Sequence, residues 1–343
     1  MTGTATVALR RHRDRRALLL IGGAAVLTLL AALWSLGVGA VAIPVDVIVN
    51  TLFNLDGEKQ TYIIMRSRLP RIVLALMAGG ALALSGTIIQ AVIRNPLASP
   101  GIIGINSGAA LFAVGMTILL PTVPQTWLPL AASLGGLTAA GIVMLVAHRR
   151  LLSAAHLALI GVAVGFVFES GVDYFLITSS DAERSAPLIW LTGSLWGRTW
   201  DHVGMSLAPL AVLAGMAMVL AYRLDLITLG EATATGLGLD VGRQRLIMLS
   251  VATLLASVSV AVVGVMGFIG LMAPHIARHL IGGGHRLLLP LAMLVGMLLV
   301  TLADGVGRAI APPIEVSAGI LSALIGAPFF VYVMLTTASE QET

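Results

Sequence analysis

The sequence predicts an all-α, polytopic membrane protein, and three observations carry that reading. Of 343 residues, 58% are hydrophobic and only 10% charged, whereas soluble domains carry about 25% charge. The apolar residues fall into ten runs that read as membrane segments, with N- and C-terminal polar ends. Between the second and third runs lies an Arg94-Asn95-Pro96 break, with a further proline at Pro100. Such a break at membrane depth is tolerated only inside protein or beside a water-filled path.

Residues 1–16 read as a polar tail in which Arg10, Arg11, Arg13, Arg15 and Arg16 precede the first apolar run, Ala17 to about Val41. Ala40-Val41-Ala42 resembles a cleavage site, but the run exceeds the ~7–15 residues of a signal peptide's apolar region, so an uncleaved helix is expected. Positive charge ahead of that helix places the N-terminus in the cytoplasm. The whole of 17–336 is then one transmembrane domain, and 337–343 a second cytoplasmic tail.

The second run, 69–92, follows Arg66, Arg68 and Arg71 and is dense in Gly, Ala and Ser, residues that let neighbouring helices approach closely. The other runs lie at 102–120, 127–147, 154–177, 203–222, 243–265, 267–281, 287–306 and 315–336. The 102–120 run begins after a break and the 267–281 run is short. Gly101-Ile-Ile-Gly104 and Gly267-Phe-Ile-Gly270 open these two segments, a faint internal repeat of the kind found in transporter halves. Gly104-x-x-x-Gly108 and Gly161-x-x-x-Gly165 fit close helix packing.

An even number of crossings brings the C-terminus back to the cytoplasm. On that topology thirteen basic residues fall inside and seven outside: Lys59, Arg66, Arg68, Arg71, Arg184, Arg198 and Arg308. The bias has the expected sign, and the net charge of +4 follows from arginines flanking helices without invoking nucleic acid. Three connections are long: 42–68 and 178–202 outside, 223–242 inside. The second mixes charge with Trp190, Trp196 and Trp200 and is expected to hold a short interfacial helix. The third reads as two turns of helix broken at Gly230, Gly236 and Gly238.

Several chemistries are excluded. A phosphate-binding loop needs a Lys after Gly, and the single lysine, Lys59, follows Glu58 in an outside loop. There is no Gly-x-Ser-x-Gly elbow. With no cysteine, disulfides and thiolate metal sites are absent. His275 and His279 share a helix face, but Ile276 stands where a zinc protease needs Glu, so ordinary polar contacts are expected. Acids at membrane depth are candidates by default: Glu169 and Asp173 one turn apart, and Asp304. They would serve a proton relay, or Asp304 would pair with Arg308 at i, i+4 while Glu169 and Asp173 sit near the outer mouth.

Arg68-Leu-Pro-Arg71, the Gly79–Gly86 run, RNPLASPGIIGINSGA, the Leu229-Gly-Glu loop, GFIGLMAPHIARHL and GILSALIGAPFF occur in order between Arg68 and Phe330. Together they resemble the permeases of type II ABC importers, the iron-siderophore, haem and cobalamin uptake family. The resemblance implies ten transmembrane helices per subunit and a second permease subunit, identical or paralogous. It implies two cytoplasmic ATPase subunits, which bind ATP and Mg, and a substrate-binding protein; no cofactor and no enzyme activity then belong to this chain. It matches Arg68, Arg71 and Arg308 to arginines that dock the binding protein, and Asn95 and Leu97 to a cytoplasmic gate. Ser153, Ala154 and Ala155 match a second constriction, without the hydroxyls that some members carry at 154 and 155. The loop 229–240, with Gly230, Glu231, Gly236 and Gly238, matches the segment seated on the ATPase. Asn106, Glu169 and Asp173 are candidates for the path or outer mouth. The Trp190–Arg198 stretch and RNPLASP look closest to ferric-citrate and ferric-siderophore permeases of the inner membrane. Haem or cobalamin, and an ion-coupled carrier, are the alternatives.

Overall fold

The structure, a computed structural model, describes residues 3–53, 59–148 and 154–341. Every regular element among them is helical. The first helix, α1 (Gly3–Gly37), is longer than its apolar part Arg13–Gly37. Residues 3–16 are therefore helical rather than a separate tail, and the helix stops at Gly37 instead of Val41. A short α2 (Val45–Leu52) follows. Then α3 (Lys59–Tyr62), a π-helical turn Ile63–Arg68 and α4 (Leu69–Ile93) run on as one rod. The end of the expected 42–68 loop is thus part of the second span. Pro70 explains the π turn. It offers no N–H and crowds the carbonyl four residues back, so the ladder loosens and Leu69 N–H donates to Ile64.

After the break come a 3₁₀ turn, Pro100–Ile103, and α5 (Ile105–Leu119). The chain continues as α6 (Leu128–His148), α7 (Ala154–Thr178), the short α8 (Asp181–Leu191) and α9 (Trp200–Val219). Beyond it lie α10 (Ala221–Thr228), α11 (Glu231–Gly236), α12 (Val241–Val263), α13 (Ile269–Ile281), α14 (His285–Ala309) and α15 (Ala318–Gln341). The helix expected within 178–202 is α8. It opens on a capping box in which Ser180 N–H donates to Glu183 Oε2 at 2.9 Å, which holds that carboxyl below its usual range. The expected tail 337–343 is, through Gln341, the end of α15.

Among the described residues, eight helices are long and apolar enough to cross a bilayer. The other two of the ten expected segments, α5 and α13, have 15 and 13 residues. At 1.5 Å per residue they reach about 22 and 20 Å, short of a ~30 Å hydrocarbon core. Each begins at an internal break rather than at a membrane surface.

At the centre stands α4, buried without interruption from Ala78 to Ile93. It packs on α12, α13 and α14. Backbones touch where glycines face each other. A Cβ on Gly79 would lie 2.2 Å from the Gly296 oxygen, and one on Gly86 would lie 1.8 Å from that of Gly270. In lipid such contact, not water exclusion, holds helices together. Both glycine motifs pack closely, as expected, and they meet: a Cβ on Gly161 would strike Ile102 O at 2.0 Å, Gly104 abuts Gly161 and Gly165, and Gly108 faces Gly135.

Candidate functional site

The last carbonyls of α1 have no partners within the helix, and that end is the negative pole of the helix dipole; Gly37 O accepts Ile43 N–H at 2.9 Å. Two arginines supply the missing donors. Arg68 donates to the Leu36 and Val41 oxygens. Arg308 Nη2 donates to Ser35 O at 2.8 Å and Nη1 to Val38 O at 2.6 Å. Asp304, one turn back on α14, accepts Arg308 Nε at 3.2 Å, the pairing expected from spacing alone. Its other oxygen takes Arg71 at 2.8 Å, and Arg71 Nη1 also reaches Glu315 at 2.6 Å.

The three arginines matched to binding-protein docking are therefore buried in this chain. Arg68, Arg71 and Arg308 are only 6%, 8% and 3% exposed, each engaged by carbonyls or carboxylates. Three guanidinium groups against two carboxylates leave one positive charge in surplus beneath the surface. Charge-assisted bonds explain why burial is tolerable. Arg66, on the π turn, is the exposed arginine of the group.

The α4–α5 break is built from local chemistry. Arg94 closes α4 in a left-handed conformation at φ 56°, and Asn95 N–H returns to Gln90 O at 3.2 Å. Asn95 Oδ1 then accepts Leu97 N–H at 2.9 Å, an Asx turn that leads into Pro100. The α12–α13 break has its own left-handed residue, Phe268, at φ 66°. The two breaks, distant in sequence, share one cavity of about 380 Å³, with Leu97, Pro100, Asn106, Gly267, Phe268 and Phe330 among its walls. Asn106 Oδ1 is buried there without a partner. An unpaired buried carbonyl costs about 1–3 kcal/mol unless water or a passing polar group meets it.

The candidate gate therefore divides. Leu97 and Asn106 line this cavity, whereas Asn95 is exposed and shapes the turn. Ser153 lies outside the described residues; Ala154 and Ala155 open α7, with side chains not described. Glu169 and Asp173 are elsewhere, on the exposed face of α7. Glu169 Oε1 accepts Ser107 Oγ–H at 2.9 Å, which ties it to α5 beside Asn106. His275 makes an edge contact with the Phe329 ring, and no cluster of three metal-binding side chains occurs among the described residues.

At the other end of the bundle, Gly230 (φ 113°) and Gly238 (φ 84°) bracket α11. Gly236 is the last residue of that helix rather than a break. Glu231 is exposed, 3.4 Å from Arg245. Two contacts were not legible in the sequence. Arg94 Nε donates to Ile227 O at 3.1 Å, joining the break to α10. Asp225 of α10 accepts both the backbone N–H and Nδ1–H of His285 at the start of α14, at 2.9 and 2.7 Å. No spacing marks either pair.

Residues 27–336 match the model of a family described as the FecCD transport family. The chain is 42% identical to the Fe(3+)-citrate import system permease protein YfmE of Bacillus subtilis, over 96% of this chain and 98% of that protein. It is 40% identical to the Fe(3+) dicitrate transport system permease protein FecD of Escherichia coli, over 89% and 94%. Identity to the hemin transport system permease protein HmuU of Yersinia pestis is 35%, over 94% and 97%. A solved structure described as an inward-facing conformation of a metal-chelate type ABC transporter matches with a TM-score of 0.82 and 31% identity, covering 93% of this chain and 99% of that one.

Proposed function

The chain belongs to the FecCD transport family, and on that footing we propose how it works. It is the multi-pass permease subunit of an ATP-driven importer, and its cargo is a ferric chelate of the citrate or siderophore type. ATP is hydrolysed elsewhere, on partner subunits, which fits a chain without a phosphate-binding loop.

The observation that carries the mechanism is the face of α7. Glu169, Ser170 and Asp173 are exposed within a span, Leu159–Thr178, that is otherwise apolar. Ionised groups at that depth do not face lipid. They fit a water-filled path between this chain and a second permease subunit, with Asn106 and the paired breaks forming its wall. Closing and opening would follow from the breaks, because left-handed and 3₁₀ residues absorb a change of direction that helix cannot. Arg94 carries such a movement to α10, and α11 with Glu231 seats on an ATPase subunit at the inner face of the plasma membrane. The surplus charge under Arg68, Arg71 and Arg308, together with exposed Arg66, attracts an acidic binding protein to the outer face. Both termini then lie in the cytoplasm.

Haem is the second reading, favoured by the similarity to a hemin permease over nearly the full chain. Proteoliposomes holding this chain with a second permease and ATPase subunits, supplied with a binding protein, test the proposal. Uptake of radiolabelled ferric citrate or siderophore should need internal ATP and should survive a protonophore, also in Glu169→Gln with Asp173→Asn. Uptake by this chain alone that collapses with a protonophore would establish an ion-coupled carrier instead. Preference for haem over every ferric chelate would settle the cargo the other way.

A further inference from the structure

The ends of three membrane spans come together around one cavity beside α10. The apolar part of α1 begins at Arg13, α9 ends at Val219 and α14 begins at His285. Between these ends lies a cavity of about 720 Å³, roughly twice that at the breaks and sharing none of its lining residues. Its composition is split. Leu18, Met218, Val219, Ile281 and Leu287 make an apolar wall, while Arg13, Arg286 and Tyr222 stand with Asp14 and Asp225 at the polar rim.

Neither Arg13 nor Arg286 has an ion-pair partner among the described residues, although both are exposed beside the cavity. Asp225 is already spent on His285. The Arg13 guanidinium lies over the Gly282-Gly283-Gly284 turn, with Nη1 3.4 Å from where a Gly283 Cβ would sit. With Asp225 bonded to His285, Arg13 and Arg286 outnumber Asp14 two to one above an apolar cleft where the ends of three spans meet, which matches one kind of molecule. The headgroup phosphate would pair with the arginines and an acyl chain would follow the apolar wall.

We propose that this cleft is a binding site for an anionic phospholipid, which clamps α1 to the α9–α10 corner and to the start of α14. Only its assignment to the inner leaflet rests on the membrane orientation proposed above; the binding itself does not. Because α10 leads into α11, the lipid would brace the segment that seats the ATPase.

The test uses the full chain purified in detergent, stripped of lipid and titrated with dioleoyl phosphatidylglycerol, melting temperature being the readout. Phosphatidylcholine and inorganic phosphate are the comparison ligands. Phosphatidylglycerol should raise the melting temperature, with an apparent affinity that weakens as salt rises. Arg13→Ala with Arg286→Ala should lower that affinity at least about tenfold. Leu18→Trp with Val219→Trp, which fills the apolar wall and leaves both arginines, should lower it too. Arg15→Ala, outside the cavity lining, should not. Equal affinity in the wild type and both double variants would overturn the proposal. So would equal stabilisation by inorganic phosphate, which would make this a site for a free anion. Should the arginine double variant fail to fold, the tryptophan variant and the salt titration of the wild type decide the matter by themselves.

Discussion

Asp304 holds Arg71 and Arg308 at once, one carboxylate oxygen 2.8 Å from Arg71 and the other 3.2 Å from Arg308. The carboxylate is 1% exposed and the Arg71 and Arg308 side chains 10% and 3%, so water is a poor substitute for it. Removing one member of a buried ion pair typically costs about 3–5 kcal/mol, because the charge left behind is uncompensated. Asp304→Ala should therefore lower the melting temperature of the purified chain sharply and reduce membrane yield. Arg66→Ala, exposed, should change it little. A melting temperature within a degree of wild type for Asp304→Ala would show that the cluster contributes no stability.

Docking is best probed at Arg66, since reversing the buried arginines would unfold what it sets out to test. Arg66→Glu should weaken binding-protein affinity by about tenfold at low salt, and the difference should shrink as salt rises. Melting temperature and basal ATPase activity of the assembled transporter should hold. Unchanged affinity at every ionic strength would remove the π turn from the docking surface.

Backbone contact between α4 and α13 makes a sharper prediction. A methyl at Gly86 would lie 1.8 Å from the Gly270 oxygen, so Gly86→Ala must push the α12–α13 break away from α4. Overpacking of this kind costs about 1–3 kcal/mol or more. Gly204→Ala in α9, with nothing within 4 Å, should be neutral or gain up to about 1 kcal/mol. Thermal unfolding of the two variants side by side tests the contrast, and equal melting points would argue that the helices separate freely.

For coupling, Glu231→Arg should lower assembly with the ATPase or raise hydrolysis without uptake, by about tenfold in the ratio of the two. It also removes the 3.4 Å contact with Arg245, an exposed pair worth at most ~1 kcal/mol, so the fold should survive. Wild-type uptake per ATP would exclude α11 from the interface.

Much of this was legible beforehand, for identifiable reasons. Eight spans, the break after Ile93, the helix α8 and the Asp304–Arg308 pair all follow from local pattern: apolar runs, Asn-Pro, charge mixed with tryptophan, i and i+4. Burial of Arg68, Arg71 and Arg308 was not legible. Apart from Asp304, their partners are carbonyls at and just beyond the end of α1 and Glu315, and a backbone carbonyl has no signature in sequence. Proline gave the π turn no warning either, because Pro70 near a helix start is ordinarily benign. The meeting of the two breaks around Asn106 needed the fold, although the echo of Gly101–Gly104 in Gly267–Gly270 pointed toward it.

Helix α14 is anchored at both ends and touched bare backbone to backbone in the middle. Gly296 lies close to its midpoint, against Gly79. His285 and Arg308 lie about 16 and 18 Å away along the axis. With no side chain between the two glycines, the crossing is a fulcrum. A tilt of about 5° around it would carry the Arg308 end and the His285 end roughly 1.5 Å in opposite directions. The beam would thus turn a push from a docked protein into an opposite stroke at α10, without either helix bending.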